Sequence, residues 1–307
     1  MTRLIRTDLA LELKEDIERE CVKREDGIQG VNIFTKLYDN GNLKETIIKV
    51  VDENGAKKLG KPMGTYITLE GKSLRGDDDG IFEPFVKATH RNLKKILGNA
   101  DRILVIGLGN RAVTPDALGP YVVDNLYVTR HLISEGIVNN VMEISALCPG
   151  VMAQTGIETQ TIIKSVCKEI KPDVIIAVDA LAAREPSRLN STIQICDTGI
   201  SPGAGVGNNR AMLNKDTLGV DVIAIGVPTV VSVPSIVNQS IEGMVRALSS
   251  NKKGEFTLDF SDEEKYELAC ELVEEDLASM FVTPKNIDES VKRISFTISE
   301  SINRLLK

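Results

Sequence analysis

Two apolar runs, ILVIGLG at 103–109 and DVIIAVDAL at 173–181, determine the fold predicted from this sequence. Both are near-continuous series of Val, Ile and Leu, which are typical of strands buried on both faces of a sheet. A third run, VDVIAIGVP at 220–228, has the same character. Segments with helical periodicity alternate with these runs, and this alternation predicts a mostly parallel central sheet between helices.

The rest of the chain adds elements around this sheet. Apolar residues at helical spacing predict an amphipathic helix within 9–26. Three β-rich runs separated by Asn-Gly turns predict an antiparallel meander at 31–70. We therefore predict an α/β fold with a three-layer α/β/α core at 100–250, a small antiparallel β subdomain attached to it, and C-terminal helices at 255–307. Turns are predicted at 39–42 and 53–55, further strands at 141–147 and 191–196, and helices at 81–97, 117–134, 157–170, 235–248, 262–280 and 286–307.

Charge and composition exclude several classes of protein. The 307 residues include 37 Lys and Arg against 44 Asp and Glu, which gives a net charge of −7 and argues against binding a phosphate backbone as the main task. Five cysteines without a C-x-x-C pair are typical of free thiols in a reducing cytoplasm. The amino terminus lacks the apolar core of a signal peptide, and the apolar runs are only strand-length. We therefore expect a soluble intracellular protein.

The acid–base chemistry of this chain is predicted to depend on carboxylates. Its two histidines, His90 and His131, lie in polar helical segments, where surface or packing roles are expected. Asp116 and Asp179 each follow a buried strand, and parallel strands place such residues in one crevice at the carboxyl edge of the sheet. Two carboxylates in one site do not both ionise easily, so one can hold a proton while the other activates water. This arrangement suits peptide hydrolysis without a covalent intermediate.

Each of these motifs also has a second interpretation. Asp116 could cap the following helix, and Asp179 could be a turn residue at the end of its strand. GLGNRA at 107–112 formally fits a dinucleotide fingerprint, although the next predicted strand does not end in the acidic residue that such a site uses. The glycine-rich segment 197–210 could place backbone amides beside an extended substrate, or it could simply be a mobile loop.

Six motifs, which include the segments above, occur in order along essentially the whole chain. They are RTDLA (6–10), IGLGNRAVTPDALGP (106–120), ALCPGVMAQTG (146–156), IIAVDALAAR (175–184), DTGISPGAGVGNNR (197–210) and IGVPTVV (225–231). Together they resemble the germination proteases of spore-forming bacteria, endopeptidases that degrade small acid-soluble spore proteins.

This resemblance implies roles for particular residues. The two essential aspartates of the family fall on Asp116 and Asp179. The family is related in fold to the hydrogenase-maturation endopeptidases, in which equivalent acids and a histidine contact nickel. Because this chain has no histidine after His131, the resemblance implies a metal-free, aspartic-type mechanism without a cofactor. The family is also made as a zymogen and cuts after acidic residues, which implies processing between Asp8 and Leu9.

The resemblance also implies the organisation and the biological setting. A propeptide at 1–8 would precede a single protease domain at 9–307, and the domain would act as a homotetramer on small acid-soluble spore proteins. Its place would be the cytoplasm of the forespore and the spore core, without direct binding to nucleic acid or membranes. Two alternatives stay open. One is a nucleotide-dependent α/β enzyme that uses the Gly107–Gly109 loop, and the other is a non-catalytic relative that binds spore proteins without cutting them.

Overall fold

The polypeptide builds one central sheet with helices on both of its faces. In this computed structural model the described residues are 7–20, 28–75, 83–208, 210–250 and 262–306. The sheet within them consists of β1 (Val31–Tyr38), β2 (Leu43–Val50), β3 (Gly64–Glu70), β4 (Arg102–Gly107), β5 (Glu143–Leu147), β6 (Val174–Ala183), β7 (Thr192–Cys196), β8 (Asp221–Ser232) and β9 (Phe281–Val282). The strand order is β1-β2-β3-β7-β8-β6-β4-β5, and the short β9 pairs with the end of β8.

The helices of the described residues range from single turns to five turns. They are α1 (Ala10–Glu20), α2 (Glu53–Leu59), α3 (Glu83–Leu97), α4 (Leu118–Asp124), α5 (Arg130–Ser134), α6 (Met152–Thr155), α7 (Thr159–Ile170), α8 (Lys215–Leu218), α9 (Val233–Ser250), α10 (Asp262–Leu272), α11 (Glu275–Ala278) and α12 (Ile287–Asn303). A 3₁₀ turn at Thr114–Asp116 precedes α4. The last part of the predicted helix at 9–26 lies outside the described residues.

The parallel half of the sheet consists of β5, β4, β6 and β8. In its register Val178 of β6 lies beside Gly107 of β4, and Asp179 lies beside Gly226 of β8. Both faces of β6 are buried along the residues that lead to Asp179. The carboxyl end of β4 and the distal part of β6 therefore meet at one edge of the sheet, as predicted.

The other half of the sheet is antiparallel, and it corrects part of the prediction. β7 is antiparallel to both β3 and β8, so the predicted strand at 191–196 does not extend the parallel sheet. The connection from β6 to β7 is too short for the crossover helix that a parallel strand requires. Through β3, the meander at 31–70 is hydrogen-bonded into the same sheet as the core. The α/β fold is confirmed, and its sheet is mixed.

The predicted turn at 53–55 is instead the first turn of a helix, α2. The carboxylate of Asp52 caps this helix by accepting a hydrogen bond from the N–H of Gly55 at 2.7 Å. Gly60 ends it in the left-handed conformation that glycine adopts readily. A short helix therefore links β2 to β3, because the Asp-x-x-Gly spacing satisfies the exposed amides of a helix start.

The predicted helix at 117–134 is two helices, α4 and α5. Thr129 interrupts it by forming hydrogen bonds with the start of β5, since its N–H donates to the carbonyl of Ile144 at 2.9 Å. The Thr129 hydroxyl also donates to the carbonyl of Met142 and accepts from the N–H of Ile144. The predicted helix at 262–280 is similarly divided into α10 and α11.

Apolar side chains fill the space between the sheet and the helices on each face. α3, α4 and α12 cover one face with buried residues such as Phe85, Val122 and Ile298. α7 and α8 cover the opposite face with Ile163 and Leu218. Each such side chain contributes about 1.5–3 kcal/mol when it is fully removed from water. Helices on both faces confirm the three-layer arrangement.

Two further observations concern the class of protein. None of the helices in the described ranges is both long and apolar enough to cross a membrane. The cysteines within those ranges are free thiols, as the sequence predicts, and they are Cys148, Cys167, Cys196 and Cys270.

Gly119 allows α4 to approach the sheet closely. A Cβ atom at this position would lie 2.4 Å from the carbonyl oxygen of Leu108 and 2.6 Å from that of Val178. We expect Gly119→Ala to lower the free energy of unfolding by about 1–3 kcal/mol, because backbone atoms cannot move aside as a flexible side chain can. Urea unfolding measures this change.

Gly243 in α9 provides the matched control. A Cβ atom there meets nothing within 4 Å, so Gly243→Ala should leave the free energy of unfolding unchanged or raise it by about 0.5–1 kcal/mol. Equal stability of the two variants would contradict the close packing of α4 on β4 and β6.

Candidate active site

Asp179 is a buried acid in the interior of a strand. β6 continues past it to Ala183, so the interpretation of Asp179 as a turn residue at the strand end is wrong. The residue is 5% exposed, and its Oδ1 accepts a hydrogen bond from the N–H of Ala180 at 3.0 Å. Burial raises the pKa of Asp179 well above 3.8, and the negative charges of Asp116 and then Asp8 raise it further. The protein thus favours the protonated form of this carboxyl group.

Asp116 ends the 3₁₀ turn that follows the β4 loop. Its Oδ2 accepts a hydrogen bond from the N–H of Asn110 at 2.7 Å, which closes the loop onto itself. The N-cap of α4 is Ala117 and has no side-chain hydrogen bond, so the interpretation of Asp116 as a helix cap is wrong. Burial raises the pKa of Asp116, while the bond from Asn110 acts in the opposite direction.

The glycines of the 107–112 motif are explained by packing within the chain. Gly109 has a φ of +106°, and a Cβ atom there would lie 2.0 Å from the carbonyl oxygen of Asp116. Gly107 faces Gly119, and a Cβ atom on Gly107 would lie 2.4 Å from the carbonyl oxygen of Gly119. The helix begins only at Leu118, well after the glycines. The motif therefore builds the Asp116 loop, and its glycines do not require a bound dinucleotide.

The amino-terminal segment lies against the distal part of β6. The N–H of Asp8 donates to the carbonyl of Ala182 at 3.4 Å, and the N–H of Ala182 donates to Asp8 Oδ2 at 3.0 Å. Gly205 also donates its N–H to Asp8, and a Cβ atom on this glycine would lie 2.1 Å from Oδ2. Burial raises the pKa of Asp8, and these amide donors partly offset that rise. The adjacent Leu9 is fully buried in a small cluster with Leu181.

The glycine-rich loop lies beside the amino-terminal segment of the chain. Gly205 lies within the predicted segment 197–210 and contacts the Asp8 carboxylate through its backbone. A larger residue at this position would occupy the space of that carboxylate. The loop therefore contributes a backbone amide to a small pocket for an acidic side chain.

Two side chains hold the peptide group that joins Asp8 to Leu9. Nζ of Lys61 lies 3.1 Å from the carbonyl oxygen of Asp8, and Nε2 of Gln194 lies 3.2 Å from the same atom. Oε1 of Gln194 accepts a hydrogen bond from the N–H of Ala10 at 2.8 Å. The sequence motifs predict neither residue. The only local signal is a polar side chain, Gln194, between two isoleucines of a predicted strand.

Helix α1 anchors this segment to the connection between β6 and β7. Glu12 is fully buried and accepts hydrogen bonds from the N–H groups of Arg184 and Glu185 at 2.9 and 3.0 Å. Arg188 forms ion pairs with Glu12 at 3.3 Å and with Glu15 at 2.6 Å. Breaking a buried pair of this kind by removing one partner costs about 3–5 kcal/mol. Helix α1 therefore fixes the position of Asp8 and Leu9, which come directly before it.

The two histidines have the surface and packing roles that the sequence predicts. Nδ1 of His90 lies 3.3 Å from the carbonyl oxygen of Ser301, and His131 is exposed on α5. Among the described residues, no group of three or more His, Cys, Asp and Glu side chains is arranged to hold a metal ion. The site consists of three acids, a lysine, a glutamine and backbone amides.

Comparison with known proteins identifies the family. A model of the germination protease family matches residues 8–258, which include Asp8, Asp116 and Asp179. The germination proteases of Caldanaerobacter subterraneus subsp. tengcongensis and Clostridium tetani are each 42% identical to this chain over 99% of its length, and 94% and 95% of those proteins are covered. The chain belongs to the germination protease family. It is therefore a peptidase of spore germination.

Two more comparisons give the breadth of this similarity. The germination protease of Bacillus subtilis is 38% identical to this protease over 99% of the chain and 93% of the relative. Among solved structures, the NiFe hydrogenase maturation protease HycI from Thermococcus kodakarensis has a TM-score of 0.36 and 17% identity, over 69% of this chain and 98% of that one. A structural similarity of this size supports no statement about the chemistry of the present protease.

The buried carboxyl group of Asp179 predicts a measurable effect on stability. Because its pKa is raised on folding, the folded chain holds this proton more tightly, and ionisation of Asp179 destabilises the fold once the pH exceeds 3.8. We expect Asp179→Asn to raise the free energy of unfolding at pH 7 by about 0.5–2 kcal/mol. The gain should shrink as the pH falls towards 3.8, where the unfolded chain also binds the proton.

Denaturant unfolding of both proteins between about pH 4, near the ordinary pKa of an aspartic acid, and about pH 7 measures this difference. Asp221→Asn is the control, because Asp221 is exposed and pairs with Lys215 on the surface. A lower stability of Asp179→Asn at pH 7 would show that the ionised carboxylate stabilises the fold.

Proposed function

We propose that this protease hydrolyses an internal peptide bond of small acid-soluble spore proteins, with Asp116 and Asp179 as an aspartic dyad that needs no cofactor. The observation that supports the dyad most directly is the buried Asp179, whose pKa is raised by burial and by the charge of Asp116. Paired carboxylates with unequal environments are the arrangement that separates an acid from a base. Membership of the germination protease family supports peptide hydrolysis.

In the proposed reaction the dyad carries one proton, and Asp179 holds it because it is the more deeply buried of the two acids. Ionised Asp116 takes a proton from water while the water oxygen bonds to the carbonyl carbon. Asp179 then gives its proton to the amide nitrogen, the C–N bond breaks, and a carboxylic acid and an amine leave. The proton that remains on Asp116 returns to Asp179 through solvent. Positioned acid–base groups of this kind contribute about 10²–10⁴ in rate.

The same site supports self-processing between Asp8 and Leu9. The Asp8 carboxylate accepts hydrogen bonds from backbone amides, its charge acts on Asp179, and Leu9 fills an apolar cluster on the same strand. This is how a substrate with an acidic residue before the cut bond would be held. We propose that residues 1–8 are a propeptide, of which 1–6 lie outside the described residues, and that residues 9–307 are the mature protease.

The biological setting is part of the same proposal. We propose that the protease acts as a homotetramer in the cytoplasm of the forespore and the spore core, where its substrates are small acid-soluble spore proteins. Its net charge of −7 favours a protein that binds these substrates without binding nucleic acid directly.

The dyad is tested by cleavage of a purified small acid-soluble spore protein with the protease beginning at Leu9. We expect Asp116→Asn and Asp179→Asn each to lower kcat by about 10²–10⁴, because either change removes a proton donor or acceptor from the reaction. Mass spectrometry of the products locates the cut, which should follow an acidic residue. The fold is checked by circular dichroism.

Asp221→Asn is again the matched control, since it removes one exposed carboxylate from the sheet and should retain full activity. The measurement is repeated with a chelator, and loss of cleavage would replace the metal-free dyad with a metal mechanism. Binding of the spore protein without any cut, by the folded wild-type protease, would favour the non-catalytic alternative.

Self-processing is tested on the full-length chain by intact mass. We expect Asp8→Ala to lower the rate of release of residues 1–8 by at least about 10-fold, because the variant loses the hydrogen bonds from Ala182 and Gly205 to its carboxylate. Asp39→Asn, a change at an exposed turn, should be processed like the wild type. Processing of Asp8→Ala at the wild-type rate would show that the pocket for the acidic side chain has no part in the cut.

A further inference from the structure

We propose that Lys61 and Gln194 form the oxyanion site of this protease, the pair of donors that binds the carbonyl oxygen of the bond to be cut. The inference rests on the proposed function, because it takes the Asp8–Leu9 peptide as a bound substrate. It adds two catalytic residues to the proposed dyad. Neither acid of that dyad supplies a positive charge.

The placement of the two donors on one oxygen carries the inference. Lys61 Nζ and Gln194 Nε2 approach the Asp8 carbonyl at 3.1 and 3.2 Å. They come from different parts of the fold, since Lys61 lies between α2 and β3 whereas Gln194 lies in β7. Two side chains from separate elements therefore converge on the peptide carbonyl of Asp8, a residue whose charge acts on Asp179.

Gln194 also fixes the orientation of the peptide. Its carbonyl Oε1 accepts from the N–H of Ala10 at 2.8 Å while its amide Nε2 donates to Asp8. A carbonyl can only accept and an N–H can only donate, so these two partners determine which way the glutamine amide points. The side chain thus bridges the chain on both sides of the Asp8–Leu9 bond. It is 8% exposed, so water competes little for either contact.

The charge balance of the site explains why a lysine is needed. Attack by water turns the carbonyl oxygen into an oxyanion at the moment when both acids of the proposed dyad hold protons and are neutral. Neither acid then supplies a compensating positive charge, and an ionised Asp8 carboxylate raises the energy of the oxyanion. The Lys61 ammonium is a cation in contact with the oxygen, and its charge already offsets part of the rise that burial causes in the pKa of Asp8. Its attraction grows as negative charge develops on the oxygen, so it stabilises the transition state more than the substrate.

Kinetics test this role in the full-length chain. The two rates are release of residues 1–8, followed by intact mass, and subsequent cleavage of a purified small acid-soluble spore protein. We expect Lys61→Met and Gln194→Met each to lower kcat by about 10²–10³, which is the usual loss when one oxyanion donor is removed. KM should change by less than about threefold if the contacts strengthen mainly in the transition state.

Two companion variants separate charge from structure. Lys58→Met makes the same substitution on an exposed lysine of α2 and should leave both rates unchanged. Lys61→Arg keeps a cation at the site and should recover part of the activity that Lys61→Met loses. Full activity of both Lys61→Met and Gln194→Met would overturn the inference.

A spectroscopic readout tests the contact without activity. The sequence contains Asp followed by Leu twice, at Asp8-Leu9 and Asp276-Leu277. Labelling Asp with ¹³C at the carbonyl and Leu with ¹⁵N therefore selects two carbonyl resonances. In an Asp116→Asn chain, which should stay uncut, adding Lys61→Met should move the Asp8 resonance and leave the Asp276 resonance unchanged. An unmoved Asp8 resonance would show that Lys61 does not touch this carbonyl.

The outcomes also distinguish this inference from the proposed function. If Asp116→Asn cuts as fast as the wild type, or if the wild type cuts nothing, the proposed dyad mechanism is wrong. The oxyanion site, which rests on it, is then wrong as well. If the wild type cuts, Asp116→Asn does not, and Lys61→Met and Gln194→Met cut within about threefold of the wild type, only the oxyanion site is wrong.

Discussion

The parallel pairing of β4 with β6 is the constraint on which the site depends. It places Gly107 beside Val178, so that the loop after β4 and Asp179, which follows Val178, meet at the same edge of the sheet. A carboxyl group that follows a run of buried apolar residues must be protonated, paired or hydrogen-bonded, because an isolated buried charge is costly. The fold thus produces an acid with a raised pKa at Asp179 and holds a second acid, Asp116, close enough to act on it.

The antiparallel half of the sheet supplies the other side of the site. β7 lies between β3 and β8 and carries Gln194, while Lys61 lies just before β3. The amino-terminal segment lies where it contacts both halves, since Asp8 is bonded to Ala182 of β6 and to these two donors. A strand of the parallel half and two donors from the antiparallel half therefore hold the same amino-terminal segment.

The sequence predicts the parallel half well because its information is local. Runs of Val and Ile identify buried strands, and an aspartate directly after such a run, as at Asp179, is unusual enough to mark a site. The antiparallel half is harder, because hydrophobic periodicity does not report strand direction or which strands pair. Lys61 and Gln194 are far apart in the chain and meet only through the pairing of β3 with β7. The turn predicted at 53–55 was wrong for a related reason, since the capping of α2 by Asp52 competes with the turn chemistry of Asn-Gly.

The C-terminal helix shows that the site also depends on residues outside the matched family region. α12 lies beyond residue 258, yet it packs on the core through residues such as Ile298. Its Asp288 accepts a hydrogen bond from the hydroxyl of Thr114 at 2.8 Å, two residues before Asp116. The Asp116 loop is thus fixed at two points, by Asn110 within the loop and by α12 from outside it. The helix α12 therefore contacts the loop that carries Asp116 as well as the core, which gives it a part in the site.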